Sequence, residues 1–348
     1  MTRLSEFLDE EVASGSFPGA AALVGSSEEV IEQALAGEAA VEPRREPVTR
    51  ETLWDLASLT KPLSASALLR LCLGRGLSLS DPLGRYLPEF KKTRYDGVTI
   101  ETLLTHTSGL PAWFPVYVRG EGPSAYRRTL AEIEPENRPG AAVTYSDLGF
   151  LLLGEVLEVV LGAAIDRCFA ELVAGPAASG ARYLPEPGPA CAATEKGDRF
   201  ERGMTASLGL SYAGFRDGVV RGEVHDGNAF HRGGVAAHAG VFGTAEDVWR
   251  LARPWLDRGS ARFTRDSTPD LPEARGLGWQ GRRGAGSAIP EFSDAAFGHT
   301  GFTGTSLWLD PERDRIFVLL TNRIHPDARP ESFHPARQRF HRVALRLV

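Results

Sequence analysis

Apolar residues recur at helical spacing at the start of the chain. Leu4, Phe7, Leu8 and Val12 share one face, which predicts an amphipathic helix ended by Phe17-Pro18-Gly19. The period then changes. Residues 20–24 are a short apolar run that reads as a strand, and residues 30–35 pair with it through the turn Gly25-Ser26-Ser27-Glu28. A polar, proline-bearing loop follows at 43–48. Leu63, Ala65, Ala67, Leu68, Leu69 and Leu71 predict a helix that Ser58 opens, and another begins within residues 98–104. A long helix starts at Asp147, with Leu148, Leu151, Leu152, Val156, Val159 and Val160 as its buried stripe. Residues 175–193 read as connector, and 208–224 as a weakly alternating hairpin. The small residues at 233–243 suit close backbone approach. Thr244 and Asp247 form a modified capping box for a helix over 248–256. Residues 257–293 are polar, with one strand near Leu277-Gly278-Trp279. Strands at 298–303, 306–309 and 316–321 and an amphipathic helix over 334–348 complete the chain.

Strands therefore sit at both ends and helices fill the middle. The expected class is α+β, an α/β sandwich: an antiparallel sheet built from both chain ends, flanked by helices, with an inserted mostly helical domain. On this reading residues 1–57 and 240–348 form the α/β subdomain and 58–239 the helical one. There is no internal repeat.

Composition narrows the function classes. The chain has 348 residues and a net charge of -6. Its arginines are scattered rather than clustered, which argues against a nucleic-acid partner. Cys72, Cys168 and Cys191 are odd in number and far apart, so they predict neither a disulfide framework nor a redox pair. Residues 148–165, the most apolar run, contain Glu155 and Glu158 and are too short to span a bilayer comfortably. Glu6, Asp9, Glu10 and Glu11 stand where a signal peptide needs an apolar core. The expectation is a cytoplasmic protein with no membrane partner; oligomeric state is not readable.

Three short motifs carry candidate chemistry. In Ser58-x-x-Lys61 the two side chains share one helix face, and a lysine with a lowered pKa can activate an alcohol. Lysine is rare here, and arginine could not deprotonate to do this work. In Tyr145-Ser146-Asp147 an extended backbone points Tyr145 and Asp147 to one side, and a phenolate held by a lysine ammonium becomes a base. In Gly298-His299-Thr300-Gly301 the glycines admit a substrate, the Phe302 amide complements the Ser58 amide as an oxyanion donor, and His299 orients a carboxylate or assists proton transfer. Each has a plainer structural reading: an N-cap serine, an N-cap aspartate, and an edge strand with a solvent histidine. His225, His231 and His238 match no metal-ligand spacing, so no metal or cofactor is expected. His106 reads as a hydrogen-bonded structural group. No G-x-S-x-G elbow, P-loop or dinucleotide fingerprint is present.

In this order and context the motifs resemble the serine β-lactamase and penicillin-binding-protein superfamily, and most closely its class C-like branch of esterases and D-aminopeptidases. The wording Trp54-Asp55-Leu56-Ala57-Ser58-Leu59-Thr60-Lys61, Leu103-Leu104-Thr105-His106-Thr107-Ser108-Gly109-Leu110 and Gly301-Phe302-Thr303-Gly304-Thr305-Ser306 supports the match. The resemblance implies a serine hydrolase in which Ser58 is acylated and Lys61 and Tyr145 share proton transfer. The Ser58 and Phe302 amides would bind the oxyanion. It also places His299 where the family usually has lysine and Asp147 where β-lactamases carry asparagine. An aspartate cannot donate to a substrate carbonyl, and a neutral histidine does not grip a carboxylate. Both changes favour a small ester or amide substrate over a β-lactam. The alternatives are a D-amino-acid peptidase, a DD-carboxypeptidase or weak β-lactamase, and a non-catalytic acyl-binding or self-assembling scaffold.

Overall fold

The computed structural model describes residues 2–188, 190–327 and 333–347. Its frame is a seven-stranded antiparallel sheet, of order β3-β2-β1-β12-β11-β10-β9, with a three-stranded sheet β4-β8-β5 and a pair β6-β7 beside it. In chain order the strands are β1 Gly19–Gly25, β2 Val30–Ala40, β3 Glu46–Pro47, β4 Trp54–Asp55, β5 Arg182–Tyr183, β6 Ala193–Lys196, β7 Val219–Arg221, β8 Val241–Gly243, β9 Gln280–Gly281, β10 Phe297–Thr300, β11 Ser306–Asp310 and β12 Arg315–Thr321. The two chain ends meet at the centre of the large sheet, where Ala20 faces Thr321 and Val24 faces Phe317.

Both faces of that centre are covered, so β1 is buried throughout and reads as a continuous apolar run rather than an alternation. The period of two still sorts its side chains. Ala20, Ala22 and Val24, with Phe317 and Leu319, pack under the helices Arg3–Ala13 and His334–Leu345 through Leu4, Phe7, Leu8 and Phe340. Ala21 and Leu23, with Ile316, Val318 and Leu320, face the helix Ala245–Ala252 and the helical half. Each large side chain so buried contributes about 1.5–3 kcal/mol of transfer free energy.

The first helix, the β1–β2 hairpin and the Thr244–Asp247 capping box stand where the sequence places them. Several expectations change. The helix after Ser58 is not regular: it runs as a 3-10 turn Ala57–Leu59, a π segment Lys61–Ser66 and an α segment Ala67–Cys72. Pro62 explains the loosening, since it has no N–H to offer the carbonyl four residues back, at Ser58. Residues 208–224 are not a hairpin; β7 pairs with β6 across the helix Arg199–Ser207. The strand near Trp279 lies at Gln280–Gly281, and β10 stops at Thr300. Val159, 54% exposed, leaves the buried stripe of the helix Asp147–Leu161. The final helix ends at Leu345, and Val348 lies outside the described residues.

Among the described residues no single helix is long and apolar enough to cross a membrane.

Candidate active site

The site begins at a turn under backbone strain. Ala57 takes a left-handed conformation, φ 48°, which costs an L-residue about 1–2 kcal/mol. Asp55 holds it there. One carboxylate oxygen accepts the Ala57 N–H at 2.9 Å and the other accepts the His225 N–H at 2.7 Å. Behind the turn, the Leu56 N–H donates to Val241 O of β8 and the Val241 N–H to Thr60 Oγ1. Ser58 is thus presented half-buried on a short 3-10 turn.

Lys61 is fully buried, and its three N–H bonds are all directed at the site. Nζ donates to Ser58 Oγ at 2.8 Å, to Tyr145 Oη at 2.7 Å and to Asp147 Oδ1 at 2.5 Å. Tyr145 and Asp147 do share one side of an extended stretch, as their spacing requires. The N-cap is not Asp147 but Ser146, whose hydroxyl accepts the Gly149 N–H, and this frees the Asp147 carboxylate for Lys61. His106 fixes the stretch from behind. Its Nδ1 accepts the Ser146 N–H at 3.0 Å and its ring lies 4.6 Å from that of Tyr145. Burial, then the nearby Arg275 and Lys61 charges, push the His106 pKa well below its ordinary value, so it stays neutral.

Charge in the site follows from this geometry. Burial works against the Lys61 ammonium, but the charges of Asp147 and Tyr145 and their hydrogen bonds outweigh it, and the pKa stands above the ordinary value. For Tyr145 burial of the hydroxyl prevails over the favourable Lys61 charge, and its pKa is raised. This corrects the expectation of a tyrosine made acidic by its lysine. At neutral pH Lys61 is therefore an ammonium and Tyr145 an un-ionised phenol.

The opposite wall is the end of β10. His299 is buried, not a solvent histidine: Nδ1–H donates to Thr300 O at 2.9 Å and Nε2 has no partner among the described residues. Burial and the Lys61 and Arg275 charges push its pKa well below the ordinary value. Its ring lies 5.7 Å from that of Tyr145. Gly301 is required by close approach, since a Cβ there would fall 2.1 Å from Thr305 Oγ1 and 2.8 Å from Leu56 O. Two threonines join this turn to the serine turn: Thr303 Oγ1 donates to Asp55 O at 2.8 Å and Thr305 Oγ1 to Leu56 O at 3.0 Å. Arg337, buried on the last helix, donates through Nη2 to Gly301 O at 2.7 Å and Thr305 O at 3.0 Å.

Ser58, Asp147 and Phe302 open on a cavity of about 100 Å³ whose other walls include Trp113, Phe200, Glu201, Asp226 and His238. Of the aromatic segment at 113–126, Trp113 reaches it, while Val116, Tyr117 and Tyr126 are core residues. An open groove of about 1050 Å³, between residues 255–266 and 281–297, is lined by none of Ser58, Lys61 and Tyr145. Sequence reasoning does not single out Glu201, which lies on an ordinary amphipathic helix, or Asp55, Thr303, Thr305 and Arg337, whose partners are remote in sequence. The three histidines considered as metal ligands each have another partner: His225 pairs with Glu195, His231 with Tyr212, and His238 with Asp226.

Comparison with known proteins gives a consistent result. The family model described as Beta-lactamase matches residues 4–338. An N-acetylmuramyl-L-alanine amidase of Bacillus subtilis (strain 168) is 30% identical over 96% of this chain and 84% of its own. The solved structure of EstCE1, a hydrolase with promiscuous acyltransferase activity, superposes with a TM-score of 0.72 at 22% identity, covering 97% of each chain. A class C beta-lactamase superposes with a TM-score of 0.72 at 19% identity, over 99% of this chain and 94% of its own.

Proposed function

The chain belongs to the beta-lactamase family of serine hydrolases, with its β-lactamase/transpeptidase-like α+β fold, and on that premise we propose that it cleaves small esters or amides through an acyl-enzyme on Ser58, with an esterase-like preference. The observation that carries this is the Lys61 ammonium, which bonds Ser58, Tyr145 and Asp147 at once. A binding scaffold has no use for an alcohol held between a cation and a phenol.

In this mechanism Ser58 Oγ attacks the substrate carbonyl. Its proton passes to the Tyr145 oxygen once that group has ionised, and Lys61 stays charged beside both. The carbonyl oxygen becomes an oxyanion bound by the Ser58 and Phe302 amides, whose positions the Thr303, Thr305 and Arg337 bonds support. Collapse of the tetrahedral species breaks the bond to the leaving group, which takes the proton from Tyr145. Water then repeats the sequence on the acyl-enzyme and releases the acid.

The esterase preference rests on Asp147 and His299. The carboxylate of Asp147 cannot donate to a substrate amide carbonyl, and a neutral His299 offers no cation for a β-lactam carboxylate. The 30% identical amidase keeps cleavage of a small amide as a second reading. The test is labelling by an activated-serine probe and turnover of p-nitrophenyl acetate, set beside nitrocefin. Both labelling and turnover are expected to vanish in Ser58→Ala, and nitrocefin to be cleaved poorly. Turnover that survives the substitution overturns the mechanism, and fast nitrocefin hydrolysis overturns the preference.

A further inference from the structure

The segment that leads into β9 brings a second cation to the ring of Tyr145. Its backbone is closed on itself before any side chain takes part. The Ser267 N–H donates to Arg275 O at 2.7 Å, and the Arg275 N–H donates to Thr268 Oγ1 at 2.9 Å. Two further bonds seat the segment against its neighbours. The Leu277 N–H donates to Phe263 O at 2.6 Å, and the Gly278 N–H to Leu104 O at 3.0 Å, at the end of the helix Ile100–Leu104 that precedes His106. Gly278, at φ 82°, makes this approach possible, because a Cβ there would fall 1.9 Å from Ser66 Oγ. With the backbone held in this way, the side chain of Arg275 is not needed to close the turn.

That side chain turns inward. Arg275 is buried, and its guanidinium carbon lies 5.5 Å from the centre of the Tyr145 ring. Lys61 Nζ lies 4.7 Å from the same centre. Nη2 of Arg275 donates to Glu273 Oε2, whereas its Nε–H is buried without a partner among the described residues. Glu273 is a weak counter-charge, because its side chain is 37% exposed and water screens it. An arginine does not deprotonate, so the positive charge persists at every working pH. Its reach extends to both flanks of the ring. After burial, the Arg275 charge is the largest cause of the depressed His106 pKa, and it follows burial and Lys61 among the causes at His299.

We infer that Arg275 is a positioning residue for the reaction: a permanent cation beside Tyr145 that, together with Lys61, favours the phenolate on which proton transfer depends. This role rests on the hydrolase reading above. A cation within about 6 Å of an aromatic face is attracted to it, and the attraction grows when the ring carries a full negative charge. Arg275 therefore stabilises the ionised tyrosine more than the neutral one. It does so through Tyr145, since it does not line the cavity on which Ser58 opens. The groups that face Tyr145 are Ser58 and Lys61 from the serine turn and its helix, Asp147 from its own stretch, His106 and His299 on its two flanks, and Arg275. The imidazoles are neutral. The Asp147 charge opposes the phenolate and, at 2.5 Å from Lys61, offsets much of that ammonium. The guanidinium is what leaves the field at the ring positive.

The test is the pH profile of kcat/KM for p-nitrophenyl acetate between pH 6 and 9.5, on the full-length enzyme. Arg275→Gln removes the charge and should move the alkaline limb to higher pH by about one unit or more, the scale of a neighbouring charge. At pH 7 that displacement is a loss of about tenfold in kcat/KM. Arg275→Lys keeps a cation on a long side chain and should restore most of the displacement. Glu273→Gln removes the screened counter-charge and should move the limb the other way, to lower pH. Labelling of Ser58 by the activated-serine probe shows that each variant retains a formed site. A limb that stays in place in labelled Arg275→Gln overturns the role, whatever happens to activity or melting temperature, because a merely structural residue changes those alone. A limb displaced as far in Arg275→Lys as in Arg275→Gln assigns the effect to shape and overturns it too. Should Arg275→Gln fail to label, Glu273→Gln decides: a limb unmoved, or moved to higher pH, overturns the role. A wild-type enzyme that labels and turns over without an alkaline limb overturns the role and leaves the hydrolase reading standing. One that neither labels nor cleaves the ester overturns the hydrolase reading itself.

Discussion

Lys61 cannot serve as a free base in the resting site, because each of its N–H bonds is already given to an oxygen. Its pKa and that of Tyr145 both stand above their ordinary values. A base whose pKa is raised is scarce at neutral pH, so activity should climb as pH rises, about tenfold per unit while the group is still mostly protonated. Measured between pH 6 and 9.5, kcat/KM is expected to show this alkaline limb, and a bell centred near pH 6.5 would reassign the base to a histidine. Asp147 raises both pKa values through its charge. Asp147→Asn should therefore move the limb to lower pH by about one unit or more, the scale of a neighbouring charge. Tyr145→Phe keeps the ring packing against His106 but removes the acceptor, and kcat should fall by roughly 10²–10⁴. A near wild-type rate would leave Lys61 to act alone.

At the scale of elements the site is two turns held together. The serine turn and the turn after β10 lie about 245 residues apart in sequence, yet Thr303, Thr305 and the missing side chain of Gly301 bring their backbones into contact. Gly301→Ala forces a Cβ against Leu56 O, a clash with backbone that cannot swing away. Overpacking of that kind costs about 1–3 kcal/mol in stability. Its larger effect should be on kcat, since displacing an oxyanion donor costs about 10²–10³ while substrate still binds. Pre-steady-state labelling of Ser58 measures that loss directly, and an unchanged labelling rate would detach Gly301 from the oxyanion turn. The same contrast explains what is legible in the sequence. Ser58 with Lys61, and Tyr145 with Asp147, lie three and two residues apart, so local geometry alone predicts that each pair faces one point. The lacing is invisible, because nothing near Thr305 or Arg337 in sequence announces a partner at Leu56 or Gly301. Where local signals misled, tertiary pairing won: β7 found β6 rather than its own neighbour, and the apolar Val159 was left outside the core. Pro62 is a local signal that does predict the irregular helix after Ser58.

For the molecule as a whole, the packing that builds the site and the sheet also sets a limit in acid. His106 and His299 flank Tyr145, and His341 lies beneath the large sheet among Phe292, Trp308 and Phe340. All three are buried, and burial holds each pKa down, to about 3 for His341. The folded chain keeps them neutral while the unfolded chain takes up protons below about pH 6.5, so acid favours unfolding. Each such histidine costs up to about 1.4 kcal/mol per pH unit below 6.5, and the loss continues down to the folded pKa. His225 acts in the opposite sense. Burial lowers its pKa, but Glu195 prevails and raises it, so its contribution is present below pH 6.5 and lost as pH rises through the folded value. Below pH 6.5 that contribution is constant, so it does not offset the fall set by the neutral imidazoles, which acts against a total stability of about 5–15 kcal/mol. Melting temperature should therefore drop steeply from pH 6.5 to 5, before carboxylates such as Glu46, held at about 2 by Arg221 and Arg44, begin to titrate. His341→Leu discards the hydrogen bond to Ser287 O, so the variant should melt lower at pH 7.5. Its melting temperature should nevertheless depend less on pH, because one of the three buried neutral imidazoles is gone. A slope identical to wild type would show that acid unfolds the chain through other groups.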